Sequence, residues 1–171
     1  MSVHAVIRPM RPADLPALLR IQAACYPPSM NEPEAVLRQR LDVAADTAWV
    51  TETPDGVHAY LFAYRSRLGK LTPLGGGFRV EPDGDSLYLH DLAVGPALKG
   101  RGVGPALVER ALQQAAELRL PWSSLIAVQG SLPFWSRLGY RPFTRLTAEQ
   151  AAHLRGYDGE AHYLARAIAV D

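Results

Sequence analysis

The stretch Leu92-Ala93-Val94-Gly95-Pro96-Ala97-Leu98-Lys99-Gly100-Arg101-Gly102-Val103-Gly104-Pro105-Ala106-Leu107 constrains this chain more than any other. An apolar run ends at Val94, and a glycine-rich turn leads directly into the longest helical pattern of the sequence. Glycines at 100, 102 and 104 let the backbone approach a ligand with no Cβ in the way. The first N–H groups of a helix have no intrahelical acceptor, and the helix dipole adds partial positive charge there. Lys99 and Arg101 add two full charges, so the turn suits a pyrophosphate. A Rossmann turn needs Gly-x-Gly-x-x-Gly early in a βαβ unit, whereas here the spacing is Gly-x-Gly-x-Gly past mid-chain. A Walker loop needs Gly-Lys-Ser/Thr, and Gly104-Pro105-Ala106 supplies none. The plain alternative is a tight strand–helix turn with no ligand.

The rest of the chain arranges itself around that turn. Ala5–Arg8 reads as a first strand ended by Pro9, and a helix opens at Pro12-Ala13-Asp14-Leu15 and stops before Pro27-Pro28. A second helix spans about Glu32 to Leu41. Ala48–Thr51 and Val57–Tyr64 flank a Pro54-Asp55-Gly56 turn, which predicts a hairpin. Leu68 to Gly84, with Pro73, Gly75-Gly76-Gly77 and Pro82, reads as a long loop of the functional or mobile kind. Ser86–Val94 is apolar enough to be a central strand, and Val103–Leu120 is the longest helix. Ser124–Val128, Tyr140–Thr144 and Ala161–Val170 complete the strands, with helical pieces at Leu132–Arg137 and Thr147–Leu154. The order predicts a mixed α/β layered fold in a single domain over residues 1–171.

Composition narrows the partners. Lys plus Arg number 18 and Asp plus Glu 17, so no basic excess argues for nucleic acid or an anionic membrane. One cysteine, Cys25, excludes an internal disulfide framework and a cysteine-rich zinc site, and fits a reducing compartment. No apolar run approaches the ~18 residues of a membrane span, and Met1-Ser2-Val3-His4 lacks a signal peptide's apolar stretch. The expectation is a soluble, cytoplasmic protein. His4, His58, His153 and His162 show no ligand spacing, and no metal is expected.

Lys99-Gly100-Arg101-Gly102-Val103-Gly104 resembles the pyrophosphate signature of the GNAT superfamily of N-acetyltransferases, Gln/Arg-x-x-Gly-x-Gly/Ala. Gly102 and Gly104 match, and Lys99 departs from the usual Gln or Arg while keeping positive charge. Phe134-Trp135-Ser136-Arg137-Leu138-Gly139-Tyr140 is similar to the family's Phe-Tyr-x-x-x-Gly-Phe segment. Leu89-His90-Asp91-Leu92-Ala93-Val94 resembles the strand of arylalkylamine N-acetyltransferases, with a histidine just upstream of Leu-Ala-Val. The resemblance implies the GNAT fold, a central mixed, mostly antiparallel sheet flanked by helices. It also implies acetyl-CoA as cosubstrate and a primary amine as acceptor, with direct attack in a ternary complex. Leu92, Ala93 and Val94 would offer backbone groups to the pantetheine arm, and Lys99, Gly100, Arg101, Gly102, Val103, Gly104 and Pro105 would hold the pyrophosphate. A second copy of the chain is a partner that the resemblance allows.

Acetyl transfer to an amine needs a base, an oxyanion donor and, for the departing thiolate, an acid. His90 is the candidate base: imidazole titrates near neutrality, and regular alternation puts Tyr88, His90 and Leu92 on one face. The plain alternative is a strand histidine satisfied by hydrogen bonding. Asp91 then points the opposite way, as a structural residue, unless a bulge intervenes. The family's tyrosine acid is replaced by Trp135, whose indole delivers no proton at physiological pH. Ser131, Tyr140, Tyr163 or solvent are left for that role, and Trp135 is expected to line the pantetheine channel. Gln129-Gly130-Ser131 reads equally as a cofactor contact or a plain loop. The acceptor pocket would draw on Tyr26, Pro27, Met30, Tyr64, Phe78 and Tyr88, an apolar set that equally fits core packing. Glu81, Asp83, Asp85 and Asp91 form an acidic run suited to drawing in a cation, or simply a solvated loop. The expected substrate is a small amine with an apolar body. A protein lysine or N-terminal acetyltransferase, and a non-catalytic acyl-CoA-binding module, are the alternatives.

Overall fold

The computed structural model describes residues 4–73, 76–157 and 159–169. Met1–Val3, Gly75 of the long loop and Val170 of the last predicted strand lie outside the described residues. The strands are β1 (Val6–Pro9), β2 (Ala48–Thr53), β3 (Gly56–Ser66), β4 (Ser86–Val94), β5 (Trp122–Ala127), β6 (Arg141–Pro142) and β7 (His162–Ala167). The helices are α1 (Leu15–Cys25), α2 (Glu34–Val43), α3 (Val103–Glu117), α4 (Leu132–Arg137) and α5 (Ala148–Arg155). One sheet holds all seven strands in the order β1-β2-β3-β4-β5-β7-β6. Every pairing is antiparallel except β4 with β5. No described helix is long and apolar enough to cross a membrane.

Two cores form because both sheet faces are apolar and each attracts its own helices. On one face α3 buries Leu107, Val108, Ala111 and Ala115 against Leu61, Ala63, Leu87 and Leu89 of the sheet, and Trp135 of α4 joins them. Full burial of one such Leu or Val contributes about 1.5–3 kcal/mol, so four positions at helical spacing fix the docking of α3. On the other face α1 and α2 bury Leu15, Leu18, Ile21, Leu37 and Leu41 against Val50, Tyr60, Phe62 and Tyr88. Pro16 fits at the start of α1 because its missing N–H would have no partner there anyway.

The predicted elements are present with small shifts. The second helix starts at Glu34 rather than Glu32, with Pro33 as its N-cap. The Tyr140–Thr144 strand reduces to the two-residue β6. The segment between β3 and β4 is irregular in its described residues but well tied down. Gln39 exchanges hydrogen bonds with the backbone of Phe78, Arg40 donates to Gly76 O at 2.8 Å, and Tyr157 donates to Thr72 O at 2.5 Å. Two of its acids are engaged: Glu81 pairs with Lys70, and the Asp85 carboxylate accepts from the Leu68 N–H at 2.8 Å. The expected acidic run is therefore part paired and part solvated, with Asp83 exposed.

Two local features of β4 shape everything downstream. The parallel ladder to β5 covers only Ser86–Leu89, opposite Trp122–Leu125; beyond it the strands diverge. On the other edge, Leu89 partners Ala63 and Asp91 partners Phe62, so His90 is an extra residue in a β-bulge.

Candidate active site

The divergence of β4 from β5 opens a groove of about 660 Å³. Its floor is Leu89–Val94, one wall is Ile126, Val128, Gln129 and Ser131, and Phe134 and Trp135 close it from α4. At its mouth stand Lys99, Gly100, Gly102, Val103, Gly104 and Pro105. Gly100 and Gly102 have φ of +76° and +74°, left-handed values that disfavour any residue with a Cβ. Around both, a Cβ would meet nothing within 4 Å, so the backbone there is open to a ligand. Gly102 is the N-cap of α3, so the N–H groups of Val103 and Gly104 belong to its unpaired first turn. Gly104 also packs closely, its Cβ position only 3.3 Å from Phe134. Arg101 is exposed and does not line the groove, unlike its expected role.

Backbone polarity along β4 is set by a single bond. The Gly95 N–H donates to His58 O on β3 at 2.8 Å. Counting back by twos, Ala93 also turns its backbone to β3, while Leu92 and Val94 turn theirs to the groove. The Leu92 carbonyl accepts from Tyr26 Oη at 2.8 Å and the Val94 carbonyl from Cys25 Sγ at 3.3 Å. Of the three expected backbone contacts, Ala93 therefore meets the groove only as lining. Cys25 is held in that bond, and burial pushes its thiol pKa up, the first condition for an inert thiol.

The bulge reverses one expectation. His90 meets Phe78 edge-on at 5.2 Å and Tyr88 at 6.2 Å, both in the core beneath α1 and α2. Asp91 accepts from Tyr26 Oη and Tyr60 Oη at 2.7 Å each, and Tyr60 belongs to that same core. His90 and Asp91 thus share a face with Tyr88, and Leu92 packs on the opposite one. Asp91 does not point away from His90.

Behind His90 lies an ion pair that sequence reading missed. Arg40, fully buried, donates to both carboxylate oxygens of Glu32 and stacks over Phe78 at 5.1 Å. Glu32 Oε1 lies 3.8 Å from His90 Nε2, an electrostatic contact longer than a hydrogen bond. Burial pushes the Glu32 pKa up, but the His90 ring and Arg40 outweigh it and hold it at about 2. For His90, burial dominates and lowers the pKa, with Arg40 acting in the same direction, so the imidazole is neutral at pH 7. Its Nδ1 is buried with no hydrogen-bond partner.

A second, smaller chamber of about 50 Å³ meets the groove at these residues. Tyr26, Met30 and Tyr88, three of the six residues expected at the acceptor pocket, line it together with Glu32, His90, Asp91, Ile126, Val128 and Tyr157. Tyr26, His90 and Asp91 line both cavities. Tyr64 and Phe78 instead stack on each other at 4.3 Å in the core, with Phe78 backing the His90 ring. Of the candidate acids, Tyr140 is fully buried, bonded to Ser123 at 2.8 Å and pushed up to about 12 mainly by burial. Tyr163 accepts from the Gly69 N–H, and neither phenol lines a cavity at the site. Ser131 does line the groove, and so does Trp135, which is 7% exposed. Among the described residues, no three His, Cys, Asp or Glu side chains gather as a metal site would require.

Comparison with known proteins agrees with this fold. The acetyltransferase (GNAT) family profile matches residues 15–140, and the chain belongs to that family. The fold is similar to a GNAT-like decarboxylase, GphF, solved in complex with isobutyryl-CoA. That match has TM-score 0.73 and 20% identity, covering 96% of this chain and 100% of the other. It is also similar to the ribosomal-protein-S18-alanine N-acetyltransferase of Escherichia coli, at TM-score 0.68 and 16% identity, covering 98% and 96% of the two chains. Rv2747 from Mycobacterium tuberculosis, solved with CoA and NLQ, matches at TM-score 0.67 and 22% identity, covering 96% and 99%. At these identities the structural likeness carries the fold and not the substrate. No curated protein sequence matches the chain.

Proposed function

We propose that this protein is an acetyl-CoA-dependent N-acetyltransferase acting on a primary amine of a small molecule. The observation that carries the reading is the junction at His90. A groove with a glycine-lined, cationic mouth and a separate small chamber meet at a buried, neutral imidazole. The groove suits an extended thiol cofactor with a diphosphate. Lys99, the open Gly100 and Gly102 backbone and the first N–H groups of α3 would hold the diphosphate. The outward N–H groups of Leu92 and Val94 would hold the pantetheine amides, with Trp135 packing against that arm. Acetyl-CoA supplies the acetyl thioester, whose C–S bond is broken as the amine nitrogen forms its C–N bond.

His90 takes the proton that the attacking amine loses and passes it to solvent. Glu32, fixed by Arg40, stabilises the imidazolium that results. No phenol stands where Trp135 stands, so the departing thiolate draws its proton from water at the open groove, and much of the acceleration comes from holding the two reactants together. Met30, Tyr88, Ile126, Val128 and Tyr157 give the acceptor's body an apolar lining, which favours a small arylalkylamine-like substrate over an open peptide groove. Thiol release from acetyl-CoA, measured against arylalkylamines, polyamines, amino acids and lysine peptides, tests the assignment. A clear preference for one amine class is the expected result. Thermal stabilisation by acetyl-CoA with no release on any acceptor would make the protein an acyl-CoA-binding module instead.

A further inference from the structure

We infer that Asp91 holds the ammonium group of the acceptor where the groove and the chamber meet, and that the acceptor carries no carboxylate beside its amine. This rests on the N-acetyltransferase reading and adds the chemistry of its substrate.

Asp14, Glu32 and Glu81 each have an arginine or lysine partner, whereas Asp91 has no cationic partner among the described residues. Its carboxylate is held by two phenols, Tyr26 and Tyr60, one on each oxygen. A carboxylate offers about four lone-pair sites, so two bonds leave acceptor capacity unused. That capacity lies at a residue lining both cavities. A second, independent observation points to a missing ligand. The neighbouring His90 side chain is only 6% exposed, lines both cavities, and leaves its Nδ1 unpartnered. Buried polar atoms are almost always satisfied, and an ammonium brings three donors, enough for the carboxylate and the imidazole together. The bulge is what makes this possible, because a regular strand would put the two side chains on opposite faces.

Charge restricts what the carbon beside the nitrogen can carry. An α-carboxylate would face Asp91 and Glu32, a like-charge contact in a largely buried space. The site therefore selects amines with no carboxylate beside the nitrogen and rejects α-amino acids. Arylalkylamines and lysine side chains share the accepted head.

The test compares kcat/KM at pH 7.5 for 2-phenylethylamine, for a peptide with one lysine, for glutamate, and for phenylacetic hydrazide, a nucleophile that is neutral at that pH. Wild-type protein is expected to use 2-phenylethylamine or the lysine peptide well and glutamate at least about tenfold less well. In Asp91→Asn, the preference for the better ammonium acceptor over the hydrazide is expected to fall by about tenfold or more. Equal use of glutamate, or an equal fall for both nucleophiles, would overturn the inference. Should that variant not fold, the wild-type melting temperature decides: 2-phenylethylamine must raise it more than 2-phenylethanol does, and equal shifts would overturn it. The melting comparison needs no turnover. Ammonium-specific stabilisation without acetyl transfer would therefore sink the enzymatic reading and leave the cation site standing.

Discussion

His90 and Asp91, adjacent in sequence, present their side chains on the same face of β4. Register shows why: Leu89 faces Ala63, Asp91 faces Phe62, and His90 has no cross-strand partner. One extra residue thus converts a histidine and an aspartate that would point apart into a pair bordering both cavities.

The first prediction concerns the mouth of the groove. Gly102 has a φ of +74° with open space around it, so a larger residue there meets backbone strain and fills the surface offered to a diphosphate. Gly102→Val is expected to weaken CoA binding by about tenfold or more while the protein stays folded. Calorimetric titration with CoA reads this directly, and unchanged affinity would remove the turn from the binding site.

Acid should destabilise the fold in two steps. The folded pKa of His90 is below its ordinary 6.5, so unfolded chains bind that proton first and stability starts to fall as pH drops through 6.5. Glu32 sits at about 2 in the fold against 4.5 unfolded, so its contribution is whole above 4.5 and is lost between 4.5 and about 2. At roughly 1.4 kcal/mol per pKa unit, the Glu32 contribution is at most about 3 kcal/mol. Glu32→Gln leaves Arg40 buried without its counter-charge and is expected to cost about 3–5 kcal/mol at pH 7. Urea denaturation across pH checks both, and a wild-type profile flat from pH 7 to 3 would contradict the buried pair.

Trp135 is a packing residue before it is anything else. It meets Phe134 and Tyr140 edge-on at 4.9 and 5.4 Å and lines the groove from α4. Trp135→Ala is expected to cost about 3–5 kcal/mol of stability. A loss under 1 kcal/mol in thermal or urea unfolding would show that α4 does not depend on that packing.

Much of the scaffold was legible because its signals are local. The Val94-to-Leu107 turn declares itself by glycine spacing, and the structure supplies left-handed backbone at Gly100 and Gly102 and a helix beginning at Val103. Apolar periodicity placed β4 at the centre of the sheet and α3 against it. What stayed hidden is non-local. Nothing around His90 announces a bulge, since a bulge is a relation between β4 and β3. Glu32 and Arg40 sit in ordinary polar positions of a loop and a helix, and only folding buries them against Phe78 and His90. The acidic run reads as free because Lys70 and Arg67, which pair with Glu81, lie outside it in sequence. Tyr140 and Tyr163 passed as acids because composition does not reveal that their hydroxyls are committed to Ser123 and Gly69.

The most direct test of the central claim is the steady-state rate of His90→Ala beside its affinity for acetyl-CoA, with the wild-type rate tracked from pH 5 to 9. A proton-accepting His90 predicts a kcat lower by about a hundredfold or more with acetyl-CoA affinity within about twofold of wild type. It also predicts a wild-type acid limb below pH 6.5, the side on which the imidazole becomes protonated, and its loss in the variant. An equal loss of rate and affinity, or an acid limb that survives without the imidazole, would contradict His90 as the group that takes the proton.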